Sequence, residues 1–214
     1  MSVLPRRLAQ LAEMGWIDRT NALRHAYFGL KTRLWYARVF GRVGEGSVIF
    51  PPYLLANVQH AVLGERVLIR AGARIELVVG DALRPPRLAI GSDVNIEQNV
   101  HIVCGSSIDI QDGVTITGNC AIVDVEHPYE DVLDPVRIGM RLRMRGNRVV
   151  IGAGSFIGFN SIILPNVVIG RHAVVGSHSV VTRDVPDYCV VAGNPARMIR
   201  RYNRNTQTWE HCTS

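Results

Sequence analysis

The chain has 214 residues, 47% of them hydrophobic, and a formal net charge of +6, which suits one domain with a core and an appendage. No apolar run is long enough to span a bilayer and the start lacks the three zones of a signal peptide, so a cytoplasmic setting is expected. The basic balance fits an acidic partner such as nucleic acid, an anionic membrane or a phosphorylated small molecule, but no recognition-helix, zinc-finger or RNP-like pattern accompanies it, which argues against nucleic acid.

In residues 1–44, Leu8, Leu11, Ile17, Leu23, Ala26, Tyr27, Leu30 and Leu34 fall at near-helical spacing, with Arg24, Lys31, Arg33 and Arg38 between them. This predicts a helical segment. It either caps the open end of the repeat that follows or rests as a basic amphipathic face on the inner surface of a membrane. Residues 45–62 are expected to form an irregular first coil, with Val48, Ile49, Leu54, Leu55 and Val62 inward and Pro51 and Pro52 disturbing the phase.

From Leu63 a period of six takes over. It runs Leu63, Ile69, Ile75, then Ile90, Ile96, Ile102, Ile108, Val114, Cys120, then Ile151, Ile157, Ile163, Ile169, Val175, Val181. Six is neither a helical nor a two-residue period, so it calls for a parallel β-helix in which every sixth side chain enters one shared core. Glycine follows the aliphatic residue at Gly64, Gly91, Gly152, Gly158, Gly170 and Gly176, and the fifth position is small or β-branched, as at Val94, Val100, Ser155, Ser161, Ala173 and Ser179. Each hexad is therefore read as a short strand and a turn. Coils stack at about 4.8 Å through backbone hydrogen bonds.

Two interruptions set three hexads per coil. A hexad due at 81 resumes at Ile90, and one due at 126 resumes at Ile151. Both insertions should leave the prism at the same corner, and the longer one, 126–150, has a length that usually carries function or disorder. The chain thus divides into a helical cap (1–44), an all-β parallel β-helix (45–190) with inserted loop 126–150, and a C-terminal tail (191–214). Cys104, Cys120, Cys189 and Cys212 are dispersed without CxxC spacing, so neither a zinc knuckle nor a disulfide framework is indicated. Cys120 reads as an inward core residue.

His127 opens the long insertion and is the best candidate for chemistry, because a neutral imidazole accepts a proton near neutral pH. An exposed loop histidine with no chemical role is the plainer alternative. Asp124, Glu126 or a backbone carbonyl could orient its ring, and a turn cap is the other reading of Asp124. His172 and His178 stand six apart on adjacent faces and diverge, which argues against a metal pair within one subunit.

The hexad runs, the segment Gly-Asn-Cys-Ala-Ile-Val-Asp-Val-Glu-His-Pro at 118–128, Val-Thr-Arg-Asp at 181–184 and Ala-Gly-Asn-Pro-Ala-Arg-Met-Ile-Arg at 192–200 resemble the hexapeptide-repeat acyltransferases. Within these the chain is similar to the galactoside and maltose O-acetyltransferase branch and to sugar acetyltransferases of surface-polysaccharide pathways. The resemblance covers residues 63–202. It implies a left-handed β-helix, a departure from the usual right-handed crossover, and a homotrimer with active sites in the clefts between prisms. It also implies acetyl-CoA as co-substrate, a sugar acceptor and no metal. By the same resemblance His127 matches the catalytic base and Asn99 an asparagine beside the acceptor. Phe156 matches an aromatic near the pantetheine, for which Gly158, Gly176 and Ser177 supply small groove residues. Thr182 and Arg183 match a Thr-Lys pair that meets the CoA phosphates, and Arg197 and Arg200 match basic residues near the nucleotide, with Pro195 beside adenine. The chain departs from the simpler members in its longer histidine loop, where Arg137, Arg141, Arg143, Arg145 and Arg148 form a basic run. This run either accepts a phosphorylated or nucleotide-linked sugar or is a solvated loop. The implied activity is acetyl-CoA-dependent O-acetylation of a saccharide. N-acetylation of an amino sugar and a non-catalytic assembly subunit are the alternatives.

Overall fold

A computed structural model of the chain describes residues 14–212. Three columns of short parallel strands wrap one core. The first sheet stacks Arg42–Val43, Ala61–Leu63, Arg87–Ile90, Ser107–Ile110, Arg148–Ile151 and Val168–Ile169. The second runs from Val48–Ile49 through Leu68–Ile69, Asn95–Ile96, Thr115–Ile116 and Phe156–Ile157 to Val174–Val175, and the third from Leu54–Ala56 through Arg74–Leu77, His101–Cys104, Ala121–Val123 and Ile162–Ile163 to Val180–Val181. Successive strands in the chain belong to different sheets, so hydrogen bonds run between coils.

Inward residues stack in register, as in Ile90, Ile110 and Ile151 on the first sheet and Ile96, Ile116 and Ile157 on the second. These are almost wholly buried, and each large aliphatic contributes about 1.5–3 kcal/mol by leaving water. The fifth positions sit at the corners. Ser155 and Ser161 are buried there, and each donates its hydroxyl to the next coil, at Gly170 O (2.7 Å) and Gly176 O (2.9 Å). Small size is required at this position because the corner has no room for more.

Two details differ from the sequence reading. The expected Ile108, Val114, Cys120 phase is displaced by two residues: Ile110, Ile116 and Ile122 pair with Ile90, Ile96 and Ile102. Val114 and Cys120 are instead corner residues, buried like Val94 and Val100. The slip arises because the chain takes an extra turn at Gly105 and Ser106, held by Asp124. Likewise the first coil is regular, since Val43, Ile49 and Leu55 pair with Leu63, Ile69 and Ile75. Val62 and Leu54, expected inward, are each 37% exposed. As expected, both long insertions leave at one corner, between the third and first sheets. The two-residue extra turn and the 3₁₀ turn Val58–His60 leave there too.

The expected helical segment is a helix, Trp16–Lys31, that continues through a π-turn, Thr32–Tyr36, into a last turn, Ala37–Val39. Leu8 and Leu11 lie outside the described residues. Phe28 packs on Val48 and Phe50, while Tyr36 and Phe40 join the main core at the first coil. Thr32 ties the two units together: its hydroxyl donates to Phe28 O (2.7 Å) and accepts from Ile49 N (2.8 Å). Trp16, Leu23, Tyr27 and Leu30 face outward. No helix among the described residues is long and apolar enough to cross a membrane. At the other end Cys189–Gly193 adds a parallel strand to the second sheet, and Ala196–Asn203 and Thr208–His211 extend it antiparallel.

Glycine is needed where coils approach most closely. A Cβ on Gly152 would lie 2.6 Å from the carbonyl carbon of Gly170 and 2.7 Å from Arg171 N. Gly152→Ala is therefore expected to cost about 1–3 kcal/mol through a forced backbone shift, read as a lower melting temperature. Gly139→Ala, with nothing within 4 Å of the added carbon, is the matched control and should leave the transition in place.

Candidate active site

The long insertion begins where the third sheet ends and folds back on itself. Glu126 and Arg143 form an antiparallel bridge, with Glu126 N donating to Arg143 O (3.0 Å) and Arg143 N to Glu126 O (2.9 Å). Asn147 donates to Asp124 O (2.8 Å) and to Arg143 O (3.2 Å), and Asn166 of the next coil donates to Asn147 Oδ1 (3.1 Å). These bonds close the loop against the prism.

Within the loop the arginines divide their work. The Arg141 side chain is only 11% exposed and its guanidinium gathers the carbonyls of Asp131, Asp134 and Val136, each at 2.7 Å, with Asp134 Oδ2 at 3.2 Å. Three of its five N–H groups are thus held by carbonyls of its own loop, so this side chain organises the loop. Arg143 pairs with Glu130 (3.1 Å) and Glu126 (3.6 Å). Arg145 makes no side-chain hydrogen bond or ion pair among the described residues. A guanidinium enclosed by its own loop's carbonyls was not legible from the basic run, which sequence reading had treated as one unit.

His127 is exposed, and its Nδ1 lies 3.0 Å from Arg141 O. A carbonyl only accepts, so Nδ1 is the protonated nitrogen, and in the neutral ring Nε2 is the one with the lone pair. Neither carboxylate considered as an orienting partner does that work. The Asp124 carboxylate is buried and accepts from the backbone N–H groups of Gly105, Ser106 (2.9 Å) and Ser107 (2.6 Å). Burial pushes the Asp124 carboxyl above its ordinary value against the pull of those donors, and burial beside this carboxylate pushes the Cys104 thiol up as well. Glu126 faces Arg143.

His127 borders a cavity of about 510 Å3 whose floor includes Val123, Leu164 and Thr182. These three stand one above another on the outer face of the third sheet, because Ile122, Ile163 and Val181 are in register. Thr182 thus meets the histidine's cavity across a long stretch of sequence. Asp184 Oδ1 accepts Val168 N (2.8 Å) and fixes the turn that presents Thr182 and the exposed Arg183.

The remaining candidates gather elsewhere. Asn99 lies at the corner between the second and third sheets in left-handed conformation, φ 58°, as do Asn119, Asn160 and His178. Its side chain donates to Asn119 Oδ1 (3.2 Å) and fills the space a Cβ on Gly72 below it would need. Gly158, Gly176 and the exposed Ser177 share this corner, and the N–H groups of Gly158 and Gly176 are already spent on Val175 O and Val191 O, both 2.8 Å away. Phe156 points outward from the second sheet at 43% exposure. Arg197 and Arg200 are exposed on the antiparallel extension of that sheet, opposite Ala192 and Val190. His172 stacks on Tyr188 (centroids 5.4 Å apart) and His178 sits 3.1 Å from Asn160. One chain therefore presents two loci: the His127 cavity with Thr182, and the second-to-third corner with Asn99 and the small residues.

A three-sheet prism with a histidine loop built onto one corner defines a class of repeat protein, and comparison places it more closely. Residues 148–183 match the family model described as bacterial transferase hexapeptide (six repeats). The chain is 31% identical over 177 residues to the putative lipopolysaccharide biosynthesis O-acetyl transferase WbbJ of Escherichia coli, covering 81% of this chain and 87% of that protein. It is 32% identical over 133 residues to the galactoside O-acetyltransferase of the same organism, covering 56% and 59%. Among solved structures it is similar to the N-acyltransferase AntD of Bacillus cereus, in complex with dTDP-4-amino-4,6-dideoxyglucose and coenzyme A, with TM-score 0.65, 22% identity and coverage of 82% and 91%. The chain belongs to the hexapeptide-repeat transferase family.

Proposed function

We propose that this protein transfers the acetyl group of acetyl-CoA to a hydroxyl of a saccharide or glycan precursor, with His127 as general base. The observation that carries the reading is the bond from His127 Nδ1–H to Arg141 O, 3.0 Å, which in the neutral ring leaves the Nε2 lone pair available on a side chain that borders the cavity. Nε2 takes the proton as the sugar oxygen attacks the thioester carbonyl, and the resulting tetrahedral oxyanion is met by backbone N–H donors. Collapse breaks the C–S bond, and the proton held on the imidazole passes to the departing thiolate. No acyl-enzyme is formed. O-acetylation is favoured over N-acetylation by the two relatives named as O-acetyl transferases.

In this reading the prism is left-handed and three copies assemble side by side. A neighbour's second-to-third corner, with Asn99, Phe156, Gly158, Gly176 and Ser177, lies against the His127 cavity of the first chain. Thr182, Arg183, Arg197 and Arg200 then serve the carrier's phosphates. Support comes from the separation of the two loci on one chain and from Val132 and Leu133 on the histidine loop, which are 88% and 92% exposed and would be covered by a neighbour.

The test is thiol release from acetyl-CoA with a panel of sugars. The expected product is an ester that mild base removes. A base-stable amide formed on an amino sugar would shift the assignment to N-acetylation. Neither CoA binding nor thiol release with any sugar would favour a non-catalytic assembly role.

A further inference from the structure

The two insertions that leave the prism at one corner enclose a second cavity, of about 800 Å3, beside the first. Arg143 and Pro128 line both cavities, so the two adjoin at the base of the histidine loop. The enclosure is built. Met144 of the long insertion rests in space that only glycine leaves: a Cβ on Gly80, at the start of the short insertion, would meet its Cε at 2.7 Å, and one on Gly105 would meet its Sδ at 2.5 Å. Arg84 from the short insertion and Arg145 from the long one both line the cavity. Both are exposed, and neither side chain has an ion-pair or hydrogen-bond partner among the described residues. Arg143 is balanced by Glu126 and Glu130, and Asp81 at the rim spends one carboxylate oxygen on Leu83 N (2.9 Å). The two unpaired guanidinium groups thus line a hollow that adjoins the cavity bordered by His127.

We infer that this cavity seats the anionic end of the acceptor, with Arg84 and Arg145 as its ligands, so that the acceptor is a sugar carried on a diphosphate rather than a free sugar. The inference rests on the acetyl-transfer reading of the adjoining cavity. A diphosphate offers oxygens to two guanidinium groups at once, which a free saccharide does not. The diphosphate is borne either by a nucleoside or by a lipid.

Wild type, Arg84→Gln, Arg145→Gln and the double variant are titrated with inorganic pyrophosphate under saturating CoA, which covers the residues that meet the carrier's own phosphates. Pyrophosphate should bind wild type, roughly tenfold more weakly each single variant, and the double variant more weakly still; retained CoA affinity shows that the variants fold. No pyrophosphate binding to wild type, or undiminished binding to the double variant, overturns the inference. A second arm compares thiol release with a nucleoside diphosphate sugar, a short-chain prenyl diphosphate sugar and the same sugar free. A higher kcat/KM for one diphosphate form, lost in the double variant, supports the subsite and names its source. Equal kcat/KM for free and diphosphate-borne sugar overturns the subsite and leaves acetyl transfer standing. If no acceptor releases thiol, the transfer reading fails, and the pyrophosphate titration decides the subsite on its own.

Discussion

His127→Ala is expected to lower kcat for acetyl transfer by about 10²–10⁴-fold while CoA affinity stays within about twofold of wild type, the pattern of a lost general base. The loop should survive the change. Its closure depends on the Arg141 guanidinium, the Glu126 to Arg143 bridge and Asn147, and the imidazole contributes one bond, to Arg141 O. His127→Asn provides a sharper comparison, because its amide nitrogen takes the place of Nδ1 and can still donate to Arg141 O but leaves no basic nitrogen to accept a proton. Steady-state kinetics with thermal unfolding in parallel separates the cases. A loss of CoA binding equal to the loss of turnover would mean that the residue holds the loop and takes no proton.

Asp124→Ala should destabilise the fold by about 3–5 kcal/mol, measured by urea denaturation. The side chain is buried and accepts from three consecutive backbone N–H groups, those of Gly105, Ser106 and Ser107. Without it those donors have no partner at a half-buried corner, and each orphan costs about 1–3 kcal/mol. Asp124→Asn is expected to be nearly as harmful, because an amide keeps one acceptor oxygen and turns an NH₂ toward donors. A loss below about 1 kcal/mol for the alanine variant would show that water satisfies the corner and that the carboxylate does not hold the extra turn.

The repeat was legible because each coil imposes the same demand on one residue in six, and the demand is on size and apolarity, which composition displays directly. Three sheets and a common corner for both insertions followed from where the period broke. What the period could not reveal is the two-residue turn at Gly105 and Ser106. Ile108 and Ile110 are both buried aliphatics, so the run looks continuous at either phase, and only pairing with Ile90 and Ile151 chooses between them. Val43 was missed for a related reason: Pro51 and Pro52 masked a first coil that keeps the six-residue step around them. At the site, His127 stood out as a titratable group in a long excursion. Its partner did not, because a main-chain carbonyl has no sequence signature. Asp124, three residues before His127, could have oriented the ring or capped a turn, and it does the second, accepting the N–H groups of Gly105, Ser106 and Ser107. Arg141 and Arg145 are indistinguishable in the chain, yet one is enclosed by carbonyls and the other is unpaired.

The most direct test of the account is a crystal structure of the protein with CoA bound in its native assembly. The pantetheine thiol is expected to end in the cavity floored by Val123, Leu164 and Thr182, facing Nε2 of His127, with the carrier running along the second-to-third corner of an adjacent prism. A thiol that ends away from His127, or a carrier held entirely by one chain, would contradict it.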